Sequence, residues 1–212
     1  MQIAILLYDR LTALDAIGPY QVLSRIPGAE VVFTAERTGP VRDDIRSLSL
    51  VADAGLDEVS RPDVLVVPGG PGQFALMDDG PLHAWLRTVD ATTTWTTSVC
   101  TGSLILAAAG LLKGRRATSH WLALDELRGF GVEPTGERVV FDGKYVSAAG
   151  VSSGIDMGLA LAGRIADDAT AQAIQLGIEY DPQPPYDAGA PGKAPQEVVD
   201  LLRSRKRVII EG

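Results

Sequence analysis

The stretch Thr96-Thr97-Ser98-Val99-Cys100-Thr101-Gly102-Ser103-Leu104 contains the single cysteine of the chain. Residues Trp95 to Val99 are mostly β-branched or aromatic and predict a strand, whereas the apolar, alanine-rich run from Leu104 to Leu112 predicts a helix. Cys100 therefore lies at a strand-to-helix turn, where the small neighbour Gly102 allows close backbone approach. This placement favours a nucleophile elbow with an accessible thiol over a buried structural cysteine, which is the commoner state of a lone cysteine.

The position of Cys100 at the start of a helix also predicts its acidity. Unpaired backbone N–H groups and the positive end of the helix dipole both stabilise a thiolate. Such sites lower a cysteine pKa from about 8.5 to as little as roughly 3.5. The sequence therefore predicts a lowered thiol pKa and a sulfur that oxidises readily.

Strand and helix patterns alternate along the rest of the chain and predict an α/β fold. Apolar runs at Ile3–Tyr8, Glu30–Glu36 and Asp63–Pro68 predict strands, and the last is continuous, as in a strand that is buried on both faces of a parallel sheet. We expect one domain over residues 1–212, with an open, mostly parallel sheet and helices on both faces. From about residue 181 we expect a Pro/Gly-rich arm followed by a terminal helix.

Two segments predict hairpins rather than parallel strands. Arg138–Ser147 contains Asp142-Gly143 between two apolar runs, which is a strong hairpin signal. Gly39–Val51 predicts a hairpin or an irregular excursion with three apolar side chains facing inward: Ile45, Leu48 and Leu50.

Composition excludes several classes of function. The 212 residues carry a formal net charge of −8, which disfavours nucleic acid and anionic membrane surfaces as partners. One cysteine cannot form an internal disulfide, and the absence of a Cys/His cluster in the sequence argues against a metal site. We therefore expect a cytoplasmic protein that acts on a small molecule without a metal or an organic cofactor.

Several candidate site residues follow predicted strands, and the carboxyl edge of a parallel sheet is where ligands bind. Asp15 is either a functional carboxylate at this edge or an N-cap or first-turn acid that favours the dipole of the following helix. Gly70 lies in a Gly-Gly-Pro-Gly turn that lacks a nucleotide-binding spacing and is better suited to aiming a backbone N–H into a site. His120 either lies at the same edge as Cys100 or forms a hydrogen bond at a helix start.

The order of these motifs resembles the DJ-1/PfpI superfamily, whose sheet is flavodoxin-like. The resemblance runs from Met1 to about Tyr180. Within the superfamily, Leu14-Asp15-Ala16-Ile17-Gly18-Pro19, Cys100-Thr101 and the segment Glu179–Tyr186 look most like bacterial isocyanide hydratases. The same boxes resemble the sensory half of some AraC-type regulators. Intracellular peptidases of the superfamily have histidine after the nucleophile, whereas this chain has Thr101, so peptidase activity is disfavoured.

The resemblance implies a reaction in which water adds to an isocyanide and gives an N-substituted formamide through a thioimidate. Cys100 would be the nucleophile, and Asp15 would share a proton with it and pass that proton to the reacting atoms. The N–H groups of Gly70 and Thr101 would stabilise charge, and the Thr101 hydroxyl would position water. His120 would contribute to substrate binding, and Tyr180 is assigned the same role from its motif.

Two alternatives remain open, together with the state of assembly. The first alternative to a hydratase is a different cysteine-dependent enzyme or stress protein of the glyoxalase or deglycase type. The second is a ligand- or redox-sensing module without turnover. About 17 residues follow Pro195, too few for a helix-turn-helix domain. The arm, the terminal helix and the apolar Val208-Ile209-Ile210 predict a homodimer, because these elements are hard to bury on one copy.

Overall fold

The computed structural model describes residues 1–210, and a seven-stranded sheet forms its centre. The strands of the chain are β1 (Gln2–Leu6), β2 (Glu30–Ala35), β3 (Gly39–Arg42), β4 (Ser49–Ala52), β5 (Ala54–Gly55), β6 (Val64–Val67), β7 (Trp95–Val99), β8 (Arg116–Ala117), β9 (Glu133–Pro134), β10 (Val139–Asp142) and β11 (Tyr145–Ala148). The order in the main sheet is β10-β11-β7-β6-β1-β2-β5. All neighbouring pairs are parallel except β10 with β11.

The helices form two groups around this sheet, which confirms the predicted α/β fold. They are α1 (Ala13–Leu23), α2 (Pro81–Asp90), α3 (Gly102–Ala108), α4 (Leu124–Gly129), α5 (Ser153–Ile165), α6 (Asp168–Gly177), α7 (Gln196–Ser204) and α8 (Lys206–Ile210). Helix α5 packs against both α1 and α6, whereas α3 packs against both α2 and α4. Covering layers of this kind are what a parallel sheet requires, because both of its faces are apolar.

The central strands are buried as their sequences predict. All four residues of β6 are buried, and so are Ile3 to Leu6 of β1, which is its neighbour. Each such Val, Leu or Ile side chain contributes about 1.5 to 3 kcal/mol when it is removed from water. This burial fixes the ends of β1, β6 and β7 relative to one another.

A buried polar cluster fastens the amino-terminal end of β7 to β11, far along the strand from Cys100. The Asp90 carboxylate accepts hydrogen bonds from the Tyr145 hydroxyl (2.9 Å) and the Thr96 hydroxyl (2.6 Å), and Lys144 Nζ lies 3.1 Å from it. All three partners belong to β7 or precede or begin β11, so the cluster joins the two strands. Its groups satisfy one another, as buried polar groups must.

Both predicted hairpins are present, but two apolar side chains of the Gly39–Val51 hairpin are exposed and do not face inward as predicted. Strands β10 and β11 pair across the Asp142-Gly143 turn, and β3 pairs with β4 in a separate two-stranded sheet. Ile45 and Leu48 lie in the connection between β3 and β4 and are 75% and 42% exposed, so the expectation that they face inward is wrong. A connection at the tip of a two-stranded sheet has no second layer to cover it.

The limits of other elements also differ from the prediction. Helix α3 begins at Gly102, two residues before the predicted start, because the chain enters the helix directly after the cysteine turn. The short β8 joins β9 rather than the main sheet. Residues 181–195 form an arm without a regular helix or strand before α7. Every helix within residues 1–210 is too short or too polar to cross a lipid bilayer.

Candidate active site

Cys100 forms the predicted sharp turn between β7 and α3. Its φ angle is +57°, a left-handed conformation that is uncommon for a residue with a side chain. Gly102 is required beside it, since a Cβ at that position would lie 2.1 Å from the Val67 carbonyl oxygen and 2.8 Å from that of Pro68. The turn is therefore pressed against the end of β6, and its geometry is that of an elbow.

Hydrogen bonds from several segments fix the backbone of this turn. The Cys100 N–H donates to the Ala149 carbonyl oxygen at 2.9 Å, and the Cys100 carbonyl oxygen accepts from the hydroxyls of Ser103 (3.1 Å) and Ser119 (3.0 Å). The left-handed conformation is held from three sides. Strain of this kind costs about 1 to 3 kcal/mol, persists only where the surroundings enforce it, and concentrates at functional sites.

The Cys100 sulfur is less accessible and less acidic than its place in the sequence suggests. The residue is 5% exposed, and burial raises the pKa of its thiol well above the ordinary value, with the Asp15 carboxylate adding to the rise. The N–H groups of Val151 and Thr101 donate to the sulfur and lower its pKa, but they do not outweigh the other two effects. The prediction of an exposed, low-pKa thiol is therefore wrong for this closed site.

Asp15 lies beside the thiol and does not cap its own helix. Its Oδ2 accepts a hydrogen bond from the Gly69 N–H at 2.9 Å, at the end of β6, and its Oδ1 has no N–H or O–H partner within residues 1–210. The residue is fully buried, and burial raises the pKa of its carboxyl to about 7, although the bond from Gly69 and the interaction with Cys100 oppose the rise. Thr12 and not Asp15 is the N-cap of α1, but Asp15 does lie in the first turn of that helix, so this part of the alternative holds beside its contact with the thiol.

The raised pKa values give the Asp15 and Cys100 pair a shared proton near neutral pH. Two adjacent groups that both resist ionisation titrate as a unit, so their protons belong to the pair. A carboxyl with a pKa close to the working pH exchanges a proton with a reacting molecule efficiently. A side-chain hydrogen bond joins the Asp15 carboxyl to the Cys100 thiol, and the buried Oδ1 atom accepts no N–H or O–H within residues 1–210.

Thr101 and Gly70 contact each other in a way that the sequence did not indicate. The Gly70 N–H donates to Thr101 Oγ1 at 3.0 Å, so this N–H is occupied and is not directed at the sulfur. The prediction that the Gly70 N–H stabilises charge at the sulfur is therefore wrong, whereas the Thr101 N–H does donate to the sulfur. The Val151 N–H takes the place of the Gly70 N–H. The Thr101 hydroxyl lies at the predicted edge, and its role in positioning water stays a prediction.

Val151 is the functional backbone position that sequence reasoning missed. Its φ angle is +33°, at the first turn before α5, and this conformation brings its N–H to the sulfur. β-Branched residues avoid positive φ, so nothing in the sequence predicts the conformation. The neighbouring Gly150 lies against another candidate site residue, since a Cβ there would lie 2.9 Å from the His120 ring.

His120 lies close to this same segment and packs its ring against Gly150. Its Nδ1 accepts the Leu122 N–H at 3.3 Å, which places the proton of the neutral ring on Nε2. Burial lowers the pKa of His120, so the ring is neutral near pH 7. Both alternatives for this residue hold in part, because it forms a helix-start hydrogen bond and also neighbours the segment around the sulfur. Its contact with substrate stays a prediction.

Tyr180 belongs to a polar group on the outer side of α5. Its hydroxyl donates to Asp156 Oδ2 at 3.2 Å, and Arg138 donates to the same oxygen from Nε (2.8 Å) and Nη2 (2.6 Å). Arg138 Nη2 also donates to Ser152 Oγ at 3.3 Å, directly after Val151. These bonds fasten the start of α5, and they give Tyr180 a positioning role; its assignment to substrate binding stays a prediction.

Tyr8 is a second group near the pair that the sequence did not single out. Its hydroxyl donates to the Pro68 carbonyl oxygen at 3.0 Å. Burial raises the pKa of Tyr8 well above its ordinary value, and the charges of Asp15 and Cys100 contribute to the rise. The phenol is therefore protonated at neutral pH and belongs to the electrostatic surroundings of the cysteine. Within residues 1–210, no group of three His, Cys, Asp or Glu side chains is placed to hold a metal ion.

Comparisons with known proteins identify the family of the chain. The model of the DJ-1/PfpI family matches residues 1–164, and the chain belongs to that family. It is 42% identical to an isonitrile hydratase of Pseudomonas putida over 205 residues, which cover 97% of this chain and 90% of that protein. A crystal structure of a ThiJ/PfpI family protein from Pseudomonas syringae superposes with a TM-score of 0.95 at 39% identity, covering 99% of this chain and 87% of that one.

A regulator is also similar to this chain, over a smaller share of its length. The HTH-type transcriptional regulator CdhR of Pseudomonas aeruginosa is 33% identical over 147 residues, which cover 68% of this chain and 41% of the regulator. The family likeness thus extends to proteins of different function, and the individual activity must be argued from the site.

Proposed function

We propose that this protein is a cysteine-dependent isocyanide hydratase, which converts an isocyanide and water into an N-substituted formamide. The observation that carries the proposal is the buried Asp15 carboxyl, which has a pKa of about 7 and a side-chain hydrogen bond with the Cys100 thiol. An isocyanide needs both a nucleophile and an acid at the same carbon atom, and this pair supplies them. The 42% identity to the Pseudomonas putida hydratase over nearly the whole chain supports it.

In the first half of the reaction, the thiol proton passes to Asp15 as the sulfur bonds to the terminal isocyanide carbon. That carbon becomes anionic and takes the proton from Asp15, which leaves a thioimidate on Cys100 and a carboxylate on Asp15. The N–H groups of Val151 and Thr101 stabilise the thiolate character of the sulfur on the way. The protein therefore attacks only while a proton acceptor is adjacent to its weakly acidic thiol.

In the second half, the Asp15 carboxylate accepts a proton from water as the water oxygen bonds to the thioimidate carbon. Asp15 returns this proton to the substrate nitrogen. The new hydroxyl then loses its proton as the carbonyl forms and the C–S bond breaks, and the sulfur recovers that proton. The formamide has gained the elements of one water molecule: its formyl hydrogen comes from the thiol, and the second water proton replaces that hydrogen on the sulfur. Both residues therefore return to their starting states.

The narrow approach to the sulfur favours a slim reacting group. At 5% exposure, Cys100 is accessible to a linear terminal carbon more readily than to the branched carbonyl of a glyoxal. The raised thiol pKa also argues against a redox sensor, because such sensors rely on an exposed, low-pKa cysteine. A hydratase therefore fits the site better than either alternative.

We further propose that the active form is a cytoplasmic homodimer. The expectation that Val208-Ile209-Ile210 cannot be buried on one copy is wrong for Ile210, which is buried, and for Ile209, which packs against the core. Leu176 (79%), Tyr186 (79%) and Val208 (71%) are exposed. Large apolar side chains that are exposed on one copy favour burial against a second copy. Light scattering at micromolar concentration should give twice the mass of the chain, and a monomer mass would contradict the proposal.

The activity is tested with a panel of alkyl and aryl isocyanides, following loss of substrate by ultraviolet absorbance and formamide by mass spectrometry. We expect turnover by the wild-type protein and loss of at least 10³-fold in both Cys100→Ala and Cys100→Ser, since neither variant has a thiol. Methylglyoxal serves as the competing substrate. Preference for methylglyoxal, or formamide production that survives both substitutions, would reject the hydratase.

A further inference from the structure

We propose that a cavity separate from the cysteine site binds a small carboxylate with an apolar body, such as a medium-chain fatty acid anion. The cavity has a volume of about 650 Å³ and lies at the carboxyl edge of β1 and β2, bounded by the turn after Gly70. Neither Cys100 nor Asp15 lines it, and Tyr8 is the one group described above for the cysteine site that does. Its size falls within the range of about 300 to 1,000 Å³ that is usual for small-molecule sites.

The floor of the cavity is apolar and already formed. Leu6, Leu7 and Ala35 line it and are each at most 4% exposed, and Leu76 and Leu82 close its side. These residues belong to strand ends and to the turn and helix that follow β6, so the floor rests on rigid elements. A hydrocarbon chain of moderate length would gain about 25 cal/mol for each Å² of apolar surface that it buries there.

The rim of the cavity carries three arginines: Arg10, Arg37 and Arg42. None of them forms an ion pair with a carboxylate among residues 1–210, although Arg46 nearby is paired with Asp9 at 2.9 Å. Glu36 and the same Asp9 also line the rim. The three guanidinium groups outnumber the two carboxylates on the rim, so the rim carries a small local excess of positive charge in a chain of net charge −8. Guanidinium matches a planar carboxylate with two parallel hydrogen bonds.

The backbone of Arg10 gives a second, independent indication. Its φ angle is +63°, and the conformation is held from both sides, since its N–H donates to the Arg42 carbonyl oxygen at 2.9 Å and its carbonyl oxygen accepts the Gly72 N–H at 3.1 Å. A Cβ on Gly72 would lie 1.9 Å from the Asp9 carbonyl oxygen, so the turn is pressed against this position. A strained residue with a side chain, held firmly at the rim of a cavity, is characteristic of a ligand clamp.

The proposal is tested by titrating the full-length protein with sodium octanoate in isothermal calorimetry. Octanol and octylamine test the carboxylate, and acetate tests the apolar chain. We expect octanoate to bind, the other three to bind at least tenfold more weakly, and Cys100→Ala to bind octanoate normally. Normal binding by Cys100→Ala would separate this site from the cysteine site. The absence of hydratase activity would therefore leave the proposal of a carboxylate site intact.

Substitutions then locate the site. Arg10→Gln and Arg42→Gln should each weaken octanoate about tenfold or more, because each removes charge-assisted hydrogen bonds. Arg61→Gln is the matched control, since it removes the same charge from an exposed position outside the cavity and should leave binding unchanged. Ala75→Phe fills the cavity from an exposed lining position and should abolish binding while circular dichroism shows an intact fold. No octanoate binding, equal loss in Arg61→Gln, or full binding in Ala75→Phe would overturn the proposal.

Discussion

Replacing Asp15 by asparagine should make the protein slower and, at alkaline pH, more stable. Asparagine keeps the shape of the side chain, and its Oδ1 can accept the Gly69 N–H that Oδ2 of Asp15 accepts at 2.9 Å. The amide cannot deliver a proton, and general acid–base catalysis contributes about 10² to 10⁴ in rate. We therefore expect kcat for isocyanide hydration to fall by at least 10²-fold with the fold retained.

The stability effect follows from the pKa of about 7, raised from 3.8 mainly by burial. The folded protein binds this proton more tightly than the unfolded chain does, so stability is lost as pH rises through the window between the two values. The full shift corresponds to roughly 4 kcal/mol, of which about 2 to 3 kcal/mol is lost between pH 5 and pH 8. Asp15→Asn has no such group, so its stability advantage over wild type should grow by that amount over the same interval.

Urea denaturation at pH 5 and pH 8, with turnover at both, measures the two effects. Asp167→Asn is the control, since Asp167 is an exposed helix cap whose side chain accepts the Thr170 N–H at 2.7 Å and asparagine caps equally well. The control should keep its activity. Thiol alkylation should also be faster in Asp15→Asn near neutrality, because the carboxylate raises the Cys100 pKa. Near-normal turnover, or a stability advantage that does not grow with pH, would refute the proton-sharing pair.

Three further substitutions test other parts of the account. Gly69→Ala should reduce turnover in the same assay by about 10²-fold, because its Cβ would lie 2.5 Å from the Thr101 backbone nitrogen and 2.9 Å from Asp15 Oδ2. A fully active variant would show that the turn at Gly69 adjusts freely. Asp90→Asn should lower the free energy of unfolding by about 2 to 3 kcal/mol in urea titrations without affecting substrate affinity, because it disrupts the buried cluster beneath β7; a change below about 0.5 kcal/mol would contradict this. Arg138→Gln should raise the thiol pKa in alkylation profiles and lower kcat a few-fold with little change in KM, because the start of α5 loosens. The control Arg116→Gln should change neither the thiol pKa nor kcat. Identical profiles in the two variants would show that Arg138 does not position the start of α5.

The fold could be predicted from sequence because its signals are local. The apolar run ending at Val67 and the β-branched run ending at Val99 specify adjacent buried strands, and the rule that ligands bind at carboxyl edges brings Asp15 towards Cys100. The turn at Cys100 is also indicated by the small residue at position 102, because only glycine fits there against the end of β6.

The acidity of the site could not be predicted in the same way, because burial is a tertiary property. A helix start lowers a thiol pKa, but the layers packed over Cys100 leave the residue 5% exposed, and this burial raises the thiol pKa above its ordinary value. The positive φ of Val151 and the hydrogen bond from Gly70 to Thr101 likewise depend on segments distant in sequence. Ile45 and Leu48 were misassigned because an apolar residue does not reveal whether a second layer covers it.

The most direct test of the central claim is to trap the covalent intermediate. Wild-type protein is mixed with an isocyanide, quenched in acid within milliseconds and digested, and the peptide that contains Cys100 is weighed. The account predicts an adduct equal to the whole mass of the isocyanide, confined to that peptide and absent from Cys100→Ser. Formamide production with no adduct on Cys100, at quench times shorter than one turnover, would contradict it.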